Sequence, residues 1–128
     1  MDERAGRIVA AARAMIGTPF RLHGRGRDGV DCIGLALAAL GHGVRGPLAY
    51  GLRSGDVVRA RLWMGEAGLV PVADGAPGDV ALAQVGPMQL HVMIHVPGGF
   101  VHAHAGIGRV VEMPGPGLWP IIGHWRHI

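Results

Sequence analysis

Cys32 is the only cysteine in the chain, and it stands in "RGRDGVDCIGLALAAL", where a glycine-rich polar segment meets an apolar run. Cysteine often packs as a small hydrophobe. At the start of a helix it acquires a second potential, because the first-turn amides and the positive end of the helix dipole favour the thiolate. The same amides can hold the oxyanion that forms when a thiol attacks a carbonyl. Such chemistry also needs an imidazole as base and a further group to orient it.

The second half of the chain supplies imidazoles. In "HVMIHV" strand alternation puts His91, Met93 and His95 on one face and Val92, Ile94 and Val96 on the other, the face expected to join the core. In the next strand Phe100, His102 and His104 share a face. A neighbouring strand can bring one imidazole against another. His102 and His104 are therefore both candidates to orient His91, as an acid orients the base of a hydrolase triad. His23 and His95 read as cleft-wall or surface residues. The H-x-H and H-x-x-x-H spacings also admit a metal reading, but no nearby Glu or second Cys completes a ligand set, so a zinc site is not expected.

Elements must position these groups. Residues 3–16 read as an amphipathic helix with Ile8, Ala12, Met15 and Ile16 on its buried face, stopped by Gly17 and Pro19. "TPFRLHGRGRDG" reads as a loop. Asp31 is a natural N-cap for a helix opening at Cys32 or Ile33, and "IGLALAAL", apolar all round, predicts a buried helix ended by Gly41. A third helix is expected over Val57 to Met64, capped by Ser54 and closed by Gly65. Then come "GLVPV", "DVALAQV", "HVMIHV", "GFVHAHAG", "GRVVEM" and "WPIIGHW", short Val- and Ile-rich runs separated by Pro and Gly turns. Trp119 and Trp125 are expected in strand and core near the terminus. Helices first and strands afterwards predict an α+β fold with an antiparallel sheet.

The length of 128 residues predicts one domain over 1–128, and a hydrophobic content of 49% is enough for a core. All 12 basic residues are arginine. The net charge of +3 favours anionic partners only in a general way, and no basic run is interleaved with aromatics, so nucleic acid is not an expected partner. A lone cysteine excludes an internal disulfide. No segment is long and apolar enough for a membrane span. "MDERAGRIVAAARAMIG" lacks the apolar stretch of a signal peptide, so the chain is expected to be made in the cytoplasm, with its final location open.

The joint pattern resembles the NlpC-type peptidoglycan endopeptidases, small papain-like cysteine peptidases. "GTPFRLHGRGRDGVDCIGLAL" is similar to their active-site segment, "PGDVALA" to the strand before the histidine, and "HVMIHVPGGFVHA" to the histidine strand and the H-A that follows. The order Cys, His, His matches the unpermuted branch. The resemblance spans residue 7 to about residue 112. It implies helices packed on a C-terminal antiparallel sheet, Cys32 as nucleophile, His91 as general base and acid, and His102 as the orienting residue. It implies that Asp31 helps bind the free amine of a peptidoglycan stem peptide, that the bond cut joins γ-D-glutamate to the diamino acid, and that no metal or organic cofactor takes part. Phe20 stands in place of a usual Tyr, His23 in place of a Gly, Ile33 in place of a Ser and His95 in place of a common Tyr. Phe20, His23 and Ile33 are thereby expected at the substrate. Relatives of this size include phage tail-associated peptidases, which implies phage tail proteins as partners and tail delivery to the wall. The alternatives are an amidase or acyltransferase on the same scaffold, or a catalytically silent phage-tail assembly or binding module.

Overall fold

Asp2, Asp31 and Asp56 each accept a hydrogen bond from an amide three residues on, and a helix starts after each of them. The computed structural model describes residues 1–41, 56–117 and 119–128. Helix α1 (Glu3–Ala14) buries Ala5, Ile8, Val9 and Ala12. It ends two residues earlier than its apolar spacing suggests, so Ile16 lies beyond the helix and is 45% exposed. Helix α2 (Cys32–Leu40) ends at Gly41, whose φ of 90° suits glycine. It is not buried all round, because Leu37 is partly buried and Ala38 is exposed. Helix α3 (Val57–Glu66) runs through Gly65 instead of stopping there. Its cap is Asp56; Ser54, expected in that role, lies outside the described residues.

The segment expected as a plain loop folds into a two-stranded ribbon, β1 (Arg25–Gly26) and β2 (Gly29–Val30). All six strand expectations correspond to strands: β3 (Leu69–Val72), β4 (Val80–Gly86), β5 (Gln89–Val96), β6 (Gly99–His104), β7 (Arg109–Pro114) and β8 (Ile121–His127). They form one antiparallel sheet in the order β3-β8-β4-β5-β6-β7. The fold is α+β, with three helices against a six-stranded antiparallel sheet among the described residues, as the sequence leads one to expect. The last strand is not at the edge. β8 inserts between β3 and β4, and it is pinned where Arg126 grips the fully buried Asp79 through two hydrogen bonds of 2.9 Å.

The sheet separates two apolar clusters. On the helix side Leu82, Leu90, Val92, Ile94, Val101 and Val110 meet Ile8, Ile33, Leu35 and Met64. On the other side Ala81, Ala83, Met93 and Phe100 lie under Trp119 and Ile121. The strand alternation that sends Val92, Ile94 and Val96 into the main core therefore gives His91, His95 and His102 to the smaller, more polar side.

Candidate active site

Cys32 opens α2, and what holds that helix start in place is largely Asp31. One oxygen of its carboxylate accepts from Gly34 N at 2.9 Å and from Arg25 Nη1 at 3.0 Å. The other accepts from His23 N at 2.8 Å. An N-cap of this kind stabilises a helix by about 0.5–2 kcal/mol. His23 reaches its amide to the carboxylate by adopting φ 64°, a left-handed conformation uncommon for a residue with a side chain. The ribbon can sit this close because Gly34 has no Cβ; one built there would collide with the Gly24 carbonyl. Asp31 is thus 3% exposed and already bound on both oxygens.

On the far side, the Val92 amide, one residue from His91 along β5, lies near enough to the Cys32 sulfur to favour its thiolate. Cys32 and His91 line a common cavity of about 220 Å³ together with Phe20, Leu22, Asp31, Leu90, His104 and Trp119. His91 Nε2 lies 2.9 Å from His102 Nδ1. His102 is fully buried, and its other nitrogen meets the Met113 sulfur at 2.6 Å. His104 does not reach His91. Its Nδ1 accepts from the Ile107 amide at 3.1 Å, although its ring borders both the cavity and His102. Trp119 stands edge-on to His91 and His102, with ring centroids 5.7 and 5.5 Å away. It lies before β8, not in a strand, whereas Trp125 is in the core at 5% exposure.

Two sequence expectations for the substrate side do not hold. Ile33 is fully buried among the core residues and does not line the cavity, because the first turn of α2 rotates it toward the sheet. His23 is exposed and off the cavity wall; its amide serves the site through Asp31. Phe20 does line the cavity. His95 is elsewhere, with Nε2 2.8 Å from His124 Nδ1. Trp119 and Met113 carry no sequence signal of a site role, since nothing local to either residue shows what it will face.

The electrostatics reverse one expectation. A helix start was expected to lower the thiol pKa. Burial instead pushes Cys32 up to about 11, against the amides of Val92, Ile33 and Cys32, and the adjacent Asp31 carboxylate adds to the rise. Burial likewise pushes His91 down to about 3, with His102 and His104 contributing, and His102 down to about 4. At neutral pH the arrangement is a neutral thiol and a neutral imidazole pair, with Cys32 and His91 lining one cavity. Since only the thiolate reacts with an alkylating agent, alkylation of Cys32 by iodoacetamide should be slow at pH 7. The thiolate fraction there is on the order of 10⁻⁴, and the rate should climb about tenfold per pH unit up to pH 10. A rate independent of pH from 6 to 9 would instead mean a preformed thiolate–imidazolium pair.

No protein-family profile and no curated protein matches the chain. Solved structures do. NlpC2 from Trichomonas vaginalis superposes with a TM-score of 0.72 at 22% identity, covering 99% of this chain and 49% of that one. The peptidoglycan hydrolase RipB from Mycobacterium tuberculosis gives 0.59 at 23%, covering 97% and 64%. RipD from Mycobacterium tuberculosis, described as a non-catalytic NlpC/p60 domain protein adapted to peptidoglycan binding, gives 0.64 at 19%, covering 100% and 99%. The chain therefore has the papain-like fold of NlpC/p60 domains, and it spans less than two thirds of the Trichomonas protein and of RipB.

Proposed function

We propose that this chain is a cysteine peptidase of the NlpC/p60 kind that hydrolyses peptidoglycan stem peptides at the bond between γ-D-glutamate and the diamino acid. The observation that carries the reading is the pairing of His91 with His102 at 2.9 Å on the wall of the cavity that Cys32 also lines. The fold shared with peptidoglycan hydrolases supports it.

The chemistry runs from a neutral pair. Among the described residues His91 Nδ1 has no hydrogen-bond partner, so it is the nitrogen that takes the thiol proton as sulfur attacks the carbonyl carbon. The oxyanion falls to the first-turn amides that Asp31 does not occupy, those of Cys32 and Ile33. His91 then returns the proton to the leaving amine, leaving a thioester, and water activated by the same imidazole releases the acid and restores the thiol. His102 holds the ring in orientation throughout. His102→Ala should therefore lower kcat about 10- to 100-fold while activity stays measurable, because the acid–base group remains. A loss as complete as that of a His91 variant would make His102 part of the chemistry itself.

A second reading has its own support. The raised thiol pKa and the fold shared end to end with a non-catalytic peptidoglycan-binding domain both favour a silent binding module, in a phage tail or elsewhere. Slow alkylation at neutral pH is compatible with either reading. Digestion of purified muropeptides, followed by mass spectrometry, decides. Products split after D-glutamate support the peptidase. Cleavage only at other amides or esters points to an amidase or acyltransferase. Tight muropeptide binding with no cleavage supports the binding module.

A further inference from the structure

His102 is orientated by more than His91. Its outer nitrogen meets the thioether of Met113, which stands on β7 opposite Phe100 and on the same face of the sheet. A thioether carries no proton and can only accept. A neutral imidazole has one N–H and one bare nitrogen. We infer that Met113 fixes the proton register of both histidines: the sulfur takes the His102 Nε2–H, which leaves His102 Nδ1 to accept from His91 Nε2–H and leaves His91 Nδ1 bare.

The opposite register fails on the same contacts. Were His102 to carry its proton on Nδ1, it would donate to His91 Nε2. Its bare Nε2 would then face the lone pairs of sulfur in a place where His102 has no exposure to water. His91 would hold its proton on Nδ1 and could not accept another from the thiol. Both rings are held neutral by burial, so two protons are shared among four nitrogens and the register is a choice between these two arrangements. Trp119, edge-on to both rings, closes the space above them. Met113 is thus a positioning residue that acts through His102, and its catalytic consequence rests on the peptidase reading; the proton register itself does not.

The test reads the register directly. Two-bond ¹H–¹⁵N correlation spectra of the wild-type protein should show His91 and His102 both protonated at Nε2. Met113→Leu conserves volume but removes the acceptor; it should bring in the Nδ1–H form of His102 and lower kcat about 10- to 100-fold with KM little changed, less than full tautomer inversion costs a hydrolase. Met113→Gln, whose amide oxygen accepts, should restore the Nε2–H form and most of the rate. Wild-type His102 protonated at Nδ1, or an unchanged register in Met113→Leu, would overturn the inference even in an active enzyme. A wild-type protein with both rings protonated at Nε2 and no muropeptide cleavage would uphold the register and remove the peptidase.

Discussion

Replacing Cys32 with alanine should abolish the proposed hydrolysis of purified muropeptides while the protein stays folded. The expected loss is on the order of 10⁴-fold or more, because the thiol supplies the bond-forming atom and no other cysteine exists in the chain. The structural cost is small, about 1 kcal/mol, since the change removes a single sulfur atom and α2 keeps its cap through Asp31. Thermal unfolding measured beside the activity assay separates the two effects. An unfolded variant is uninformative on mechanism, so Cys32→Ser serves as the second substitution; it keeps the shape and provides a far weaker nucleophile. Full hydrolysis by a folded Cys32→Ala or Cys32→Ser protein would remove the mechanism outright.

The second large effect is at His91. His91→Ala should lower kcat/KM about 10²- to 10⁴-fold, the range for a positioned acid–base group. Here the loss should lie at the upper end, because a thiol pushed up to about 11 has no thiolate to offer at neutral pH and depends on an adjacent base for its attack. The leaving amine also loses its proton donor. Two further observations follow from the same cause. The rate remaining in the variant should rise with pH as the thiol ionises. Added imidazole should also recover activity by entering the space vacated beside the cavity, which the wild-type enzyme does not need. Loss of activity without imidazole rescue, accompanied by a lowered Tm, would show that His91 matters chiefly as a partner for the buried His102.

The elements around this site were legible because their signals are local. Asp31 before Cys32 reads as a cap from two adjacent residues, and the alternation in "HVMIHV" places His91 opposite Val92 in six. Those patterns led to α2 beginning at Cys32, to the six strands and to the identity of the face that carries the histidines. The choice between His102 and His104 was not local. Both share a face of β6, and the register that pairs Val101 with Ile94, continued along the strands, puts His104 and not His102 directly across from His91; the 2.9 Å contact nevertheless goes to His102, while His104 turns to the Ile107 amide.

What only the tertiary structure decided follows from burial and from contacts between distant segments. Ile33 looked like a substrate contact because it follows the nucleophile, yet the turn of α2 rotates it fully into the core. Trp119 and Met113 come to the histidines from beyond β6, and nothing in their own neighbourhoods announces a partner. The sense of the thiol pKa shift was misread for the same reason. The helix dipole is a property of Asp31 and the residues that follow it and can be read along the chain, whereas desolvation is set by everything folded over the sulfur, and here it is the larger effect. Sequence thus determined which groups are present and which element carries each. The packing of β5, β6 and the segment before β8 around the start of α2, with β7 beside β6, decided their protonation and their partners, because both depend on how much water is excluded and by whom.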